Sequence, residues 1–189
     1  MLNTSDSSMQ FVSRNNENIL IRLLQPSDYK TVSDYLNGLS PDSQNRFGPH
    51  PYDISSIEDF YSINSGRLDG YISIQISTGK VIGYSLLKYG LLDYERSRLE
   101  GYGLRLNAFA DATYAPSVAD EWQQFGIGFE NFKMIIAVCK EKRIDRLFLW
   151  GGVQANNERA VNFYKRNGFV ELGRFEYKGD NIDMMLLIK

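Results

Sequence analysis

The stretch EWQQFGIGFENF, Glu121–Phe132, sets Gly126 and Gly128 one residue apart at the start of an amphipathic, helix-like run. Glycine costs a helix roughly 1 kcal/mol relative to alanine, so a pair of them at a helix start needs a physical reason. Either they shape a tightly packed turn, or they bare the backbone for a ligand. Two ligand classes drop out at once. A mononucleotide P-loop needs Lys and then Ser or Thr after its second glycine, and Phe129 and Glu130 stand there instead. A dinucleotide fingerprint needs a third glycine three residues on, where this chain has Asn131. What remains is Gln123-x-x-Gly126-x-Gly128. At a helix N-terminus these glycines would let a phosphate approach exposed N–H groups that the helix dipole already makes attractive to anions. On these residues alone, the packing and phosphate readings stay level.

Working outward, Phe129, Phe132, Ile135, Ile136 and Cys139 recur at helical spacing and the run closes on KEKR, cations suited to the negative end of a helix. RLFLWGGV (146–153) reads as a buried strand, NNERAVNFYKRNG (156–168) as a helix closed by Gly168, and FVELGRFEYK with NIDMMLLI as a closing hairpin turning at GDN. Upstream, NILIRLL (18–24) is a strand. Helices follow from the start signals at Ser27–Asp28 and Ser40–Pro41, and a third is expected over 55–64. YISIQIS (71–77) and VIGYSLLKYG (81–90) alternate as a hairpin, 91–103 reads as a polar loop, and 104–118 as a strand interrupted by Pro116. The Ser- and Asn-rich residues 1–16 are expected to form a flexible leader, and 17–189 a single domain. Strand–helix–strand units with interspersed hairpins imply an α/β (α+β) fold with a mixed sheet flanked by helices.

A second motif lies thirty residues beyond the first. NNERAVNFYKRNGF places Asn157, Ala160 and Tyr164 at spacings of three and four on one helix face, where Asn157 also suits an N-terminal cap and Tyr164 the core. Together the two stretches resemble the GNAT superfamily of N-acetyltransferases. VADEWQQFGIG is similar to its V-x-x-x-x-[Q/R]-x-x-G-x-[G/A] acetyl-CoA segment, and NERAVNFYKRNGF to its N-x-x-A-x-x-[F/L]-Y-x-x-x-G-F segment. IRLLQPSDY and LSPDSQNRF extend a weaker likeness over nearly the whole chain.

The resemblance implies a mostly antiparallel, splayed sheet with acetyl-CoA, as co-substrate, in the gap between the strand ending near Val118 and the strand at 146–153. It implies that the pyrophosphate meets the N–H groups of Gln123, Gln124, Phe125, Gly126, Ile127, Gly128 and Phe129. The pantetheine arm would pair along residues 116–118, with Ser117 and Val118 among its contacts, and Asn157 would fix it from the other side. Tyr164 would protonate the leaving thiolate after direct attack by a primary amine. The chain departs from the family pattern at two places. Thr113 stands where many members carry Glu, so Asp111, two residues earlier on the same strand face, is the candidate base. Pro116 has no N–H to hold the thioester oxygen, which leaves Ser117 or Val118 to take over.

Composition narrows the partners. A formal charge of −2 with no basic block shows no nucleic-acid footprint, and no apolar run reaches the length of a membrane span. The lone Cys139 excludes an intramolecular disulfide and a Cys-based metal cage; it reads as a core residue, and His50 as a loop residue. No metal site is expected, and the expected compartment is the cytoplasm. On the acceptor side, Tyr52, Asp53, Glu58, Asp59, Asp93 and Glu95 could attract a cationic small-molecule or protein amine. The family likeness also admits a homodimer through the MMLLI hairpin. The competing readings are a CoA-holding regulatory module without efficient catalysis, kept open by Thr113 and Pro116, and a nucleotide-binding domain of another kind, which lacks the lysine and acidic partners it needs.

Overall fold

A computed structural model of the protein describes residues 8–188. The chain divides into two compact units, one of residues 1–86 and 116–135, the other of 87–115 and 136–189. Three elements run from one unit into the other: strands β4 (Lys80–Tyr89) and β5 (Asp111–Val118), and helix α5 (Ile127–Glu141).

In the first unit, β1 (Ser8–Val12) pairs antiparallel with β2 (Asn18–Leu23), and β2 with β3 (Leu68–Gln75). The strand order continues through β4 to β5. Residues 8–12 were expected in the leader; they are ordered instead by the β2 edge, whose N–H and C=O groups need partners. Residues 1–7 of that leader lie outside the described residues. Between β2 and β3 come α1 (Tyr29–Asn37), α2 (Pro41–Arg46) and α3 (Ile54–Ile63). Ser40 caps α2 by accepting from the Ser43 N–H, with Pro41 as the first helical residue, and Asp53 caps α3 by accepting from Ser56. Ile19, Ile82 and Ile127 pack as one buried cluster, which seats the start of α5 on the sheet.

The second unit holds α4 (Asp93–Gly101), β6 (Arg146–Leu149), β7 (Val153–Gln154), α6 (Glu158–Arg166), β8 (Val170–Glu176) and β9 (Asp180–Leu187). Here β5 pairs with β6 in parallel, and β9 pairs antiparallel with β6, β7 and β8. The architecture is therefore a mixed, mostly antiparallel open sheet flanked by helices. Among the described residues, no helix is long and apolar enough to cross a membrane.

Three sequence expectations are corrected. The polar loop at 91–103 contains helix α4; it buries only Glu95 and Leu99, one turn apart, too narrow a stripe to register as amphipathic. The strand expected from 104 begins at Asp111, because Asn107 folds a turn in which its carbonyl accepts from the Ala110 and Asp111 amides. The single strand expected over 146–153 is broken in two. Gly151 and Gly152 both take φ +68°, a left-handed backbone that ends β6. A Cβ on Gly152 would also lie 2.7 Å from the Ile182 carbonyl oxygen. Gly152→Ala should therefore cost roughly 2 kcal/mol or more in urea unfolding, from strain and collision together.

Candidate active site

The Gly126–Gly128 stretch answers to its surroundings as follows. Gln124 and Gly126 take φ +69° and +94°, so the backbone coils just before α5. The Phe129 and Glu130 amides close onto the Gly126 carbonyl, and the Phe125 carbonyl accepts from the Arg14 amide at 3.0 Å. Among the described residues, no acceptor meets the amides of Gln124 through Gly128. Gly126 is required by its φ. Gly128 is not required by packing, since a Cβ there would meet only Val118 Cγ2 at an ordinary 3.8 Å. These amides lie at the positive end of a fifteen-residue helix, where the dipole favours negative charge.

Just before it, β5 ends beside β4. The Ala119 amide donates to the Ile82 carbonyl, and the Ser117 carbonyl lies 3.3 Å from the position a Gly83 Cβ would take. Ser117 thus faces β4, and by strand alternation Pro116 and Val118 present their backbone to the opposite edge. Pro116 sits where it deprives the β4 ladder of nothing. The Ser117 hydroxyl is occupied, donating to the Tyr84 carbonyl and accepting from the Tyr35 hydroxyl, each at 3.0 Å. Of the two residues expected to replace the missing Pro116 donor, Val118 is the one whose amide faces the right edge. Its carbonyl accepts from Gln123 Nε2 at 3.2 Å.

In the second unit, Asn157 caps α6, its side chain accepting from the Ala160 amide at 3.3 Å, which leaves its NH2 group as a donor. Tyr164 is buried on the inner face of the same helix, its ring edge-on to Phe163 and Phe169. Burial pushes its hydroxyl well above the ordinary tyrosine range, so it is protonated at neutral pH. Among the described residues, that hydroxyl has no hydrogen-bond partner. Asp111 is wholly buried and its carboxylate is spoken for: Arg146 grips it from two nitrogens at 2.7 and 2.8 Å, and the Asn107 amide donates at 2.7 Å. Thr113 is likewise engaged, its hydroxyl donating to the Gly90 carbonyl at 2.9 Å.

Several outlying expectations can be placed. His50 is buried; its Nδ1 donates to the Pro51 carbonyl and its Nε2 accepts from the Tyr84 hydroxyl, and burial lowers its pKa. Asp53 is consumed by the α3 cap, whose donors hold its carboxyl at about 2. Burial pushes the Cys139 thiol up to about 12, which makes it a core residue.

Sequence reading underrated Glu95. It is 1% exposed, and its Oε1 accepts from the Gly151 amide at 2.7 Å and from Arg98 at 3.3 Å. Its Oε2 is buried without a partner. Desolvation raises its pKa to about 7, against the pull of the Gly151 amide and Arg98. Arg98 in turn grips Asp183 at 2.7 and 3.1 Å and lies 3.7 Å over the Phe175 ring, while the Tyr102 hydroxyl donates to Asp183. The signal available beforehand was the four-residue spacing of Glu95 and Leu99.

The model of the acetyltransferase (GNAT) family matches residues 34–169, most of the chain. No curated protein sequence matches it. Among solved structures, the GNAT domain of S. lividans PAT superposes with a TM-score of 0.73 at 18% identity, over 96% of this chain and 97% of that one. A ribosomal-protein-S5-alanine acetyltransferase from Vibrio fischeri gives 0.70 at 15%, covering 95% and 98%. A spermidine N-acetyltransferase from Vibrio cholerae, solved with CoA and spermine, gives 0.67 at 18%, covering 90% and 95%. At these identities the structures speak for the fold, and the family match for the chemistry. The chain belongs to the acetyltransferase (GNAT) family, enzymes that use acetyl-CoA as co-substrate.

Proposed function

We propose that the protein transfers the acetyl group of acetyl-CoA to a primary amine by direct attack on the thioester. The observation that carries this reading is the row of unpaired amides from Gln124 to Gly128, with Gly128 free of any packing demand. The pyrophosphate of acetyl-CoA is the anion they suit, and Gln123 and Phe129 flank it. The Val118 amide takes the role that Pro116 cannot fill, and Ser117 holds the strand end in place. Asn157 contributes its NH2 group to the pantetheine arm. Tyr164 gives its proton to the departing thiolate, a role supported by its burial and its unpaired hydroxyl. Asp111, held by Arg146 and the Asn107 amide, serves to brace the start of β5, so the base is sought elsewhere. We place the reaction in the cytoplasm.

The same lock on Asp111 and Thr113 favours one alternative, a CoA-binding module without turnover. A free-thiol assay with acetyl-CoA and a panel of polyamines, amino acids, aminoglycosides and peptides separates the two. Thiol release dependent on an amine establishes the transferase. Stabilisation by CoA with no release across the panel establishes the module.

Two variants probe the site. Tyr164→Phe should lower kcat on the order of 100-fold while the acetyl-CoA dissociation constant stays within about threefold, as expected for loss of a general acid. Gly128→Glu should weaken acetyl-CoA binding at least tenfold by calorimetry, on the order of 1.4 kcal/mol, with an unchanged circular-dichroism spectrum.

A further inference from the structure

The entry to α5 has donors for an anion but no cation of its own. From Ala119 to Glu130 the chain carries Asp120, Glu121 and Glu130, and neither Lys nor Arg. Gln123, where the family segment also admits Arg, turns its Nε2 onto the Val118 carbonyl. The lysines that reach this stretch are taken by its own carboxylates, Lys133 by Glu130 at 2.6 Å and Lys80 by Glu121 at 3.4 Å. A pyrophosphate bound there is a dianion among carboxylates, and neutral amides answer only part of its charge.

One cation from elsewhere in the same unit lies against this turn. Between β1 and β2 the chain reverses over residues 13–17, and the Arg14 amide donates to the Phe125 carbonyl at 3.0 Å. The Arg14 side chain runs beside Gly126, its Cγ and Nε each 4.0 Å from where a Gly126 Cβ would stand. Among the described residues, its guanidinium has no hydrogen-bond or ion-pair partner. The turn that presents it is firmly built. The buried Ser13 hydroxyl bonds Asn15 Oδ1 and the Glu17 carbonyl, and the Glu17 amide donates back to it at 3.2 Å. Asn16 takes φ +61°, and its amide closes onto the Ser13 carbonyl at 2.9 Å. Phe11 packs with Val118 and Trp122 against the Ile19, Ile82 and Ile127 cluster. Core packing and a backbone bond thus fasten the hairpin to the start of α5. An exposed arginine is ordinarily solvated and free to move, whereas this one is tethered at its own amide. It also lies outside residues 34–169, so it belongs to this chain and not to the part that the family model matches.

We propose that Arg14 is the cationic partner of the acetyl-CoA pyrophosphate, and that the β1–β2 hairpin is a part of the co-substrate site that this chain adds to the glycine turn. This rests on the reading of the Gln124–Gly128 amides as the place where the pyrophosphate binds. The division of labour is physical. The amides fix the position of the phosphates but bring no net charge, whereas the guanidinium brings charge and a planar pair of donors that fits phosphate oxygens. A guanidinium whose stem lies 4.0 Å from Gly126 is within reach of an anion on the amides of that turn. Because the Arg14 amide is already committed to Phe125, part of the entropy of ordering the side chain is spent before the ligand arrives. The hairpin therefore selects for a phosphate-bearing thioester, and its contribution weakens as salt rises.

The test is calorimetric binding of acetyl-CoA and of 3′-dephospho-acetyl-CoA to the full chain and to Arg14→Ala and Arg14→Lys. Arg14→Ala should weaken acetyl-CoA by about tenfold or more, and Arg14→Lys, which keeps the charge and loses the fork, by about threefold. The loss in Arg14→Ala should be the same within about twofold for the 3′-dephospho analogue, which retains the pyrophosphate. Raising NaCl from about 50 to about 300 mM should weaken the wild type more than Arg14→Ala. Without ligand, Arg14→Ala should unfold within about 2 °C of the wild type, since the substitution keeps the amide bonded to Phe125 and removes an exposed side chain. Wild-type affinity and salt dependence in Arg14→Ala, with acetyl-CoA still bound, overturn the role of Arg14 and leave the amide site standing. A loss that disappears with the 3′-dephospho analogue overturns the pairing with the pyrophosphate, because it moves Arg14 to the ribose phosphate. No binding of acetyl-CoA to the wild type overturns the amide site itself, and this proposal with it. Since the readout is binding, a failure of thiol release counts against the transferase reading alone.

Discussion

The site depends on the place where β6 stops. Two consecutive left-handed glycines, Gly151 and Gly152, take the chain off the β5 ladder after Trp150. A side chain at Gly152 would collide with the Ile182 carbonyl, so the break is enforced by the packing of β9 as well as by the backbone itself. β5 continues to Val118 without β6. A strand with an unpaired edge normally invites another chain. Here the edge is short and carries Pro116, which has no N–H to offer such a partner.

The break also decides what becomes of the Gly151 amide, and through it Glu95. Burying a carboxylate is costly unless its charge is answered, and here the answer is partial: one amide and one edge of Arg98, whose stronger grip is on Asp183. The result is a group balanced between its charged and neutral forms near neutral pH. Asp111 shows the opposite solution. Two bonds from Arg146 and one from the Asn107 amide satisfy it fully, and it becomes part of the scaffold. Two buried carboxylates in one unit thus take different parts, according to how many donors reach them.

Much of this was legible beforehand. Helix starts at Ser40–Pro41 and the closing hairpin announce themselves through residues whose local preferences agree with the final structure. The stretch before α5 was legible because glycine spacing is visible in a sequence, and Gly126 does take the left-handed φ that such a turn needs. Side-chain roles were harder. Whether Asp111 is free or bound depends on Arg146, thirty-five residues away, which no local pattern reveals. Helix α4 reads as a loop because it touches the core through one narrow stripe, and the burial of Glu95 is hidden for the same reason. The break at Gly151–Gly152 was hidden inside an apolar run that reads as one strand. His50 looked like a loop residue between prolines, yet Tyr84 draws it into the interior.

The most direct measurement follows the backbone amides of Gln124, Phe125, Gly126, Ile127 and Gly128 by 15N-resolved NMR as acetyl-CoA is added. These donors have no acceptor within the described protein, so bound pyrophosphate should shift their resonances strongly and slow their exchange with solvent. Saturable binding of acetyl-CoA that leaves all of these amides unmoved would contradict the account, because it would place the co-substrate somewhere other than the start of α5.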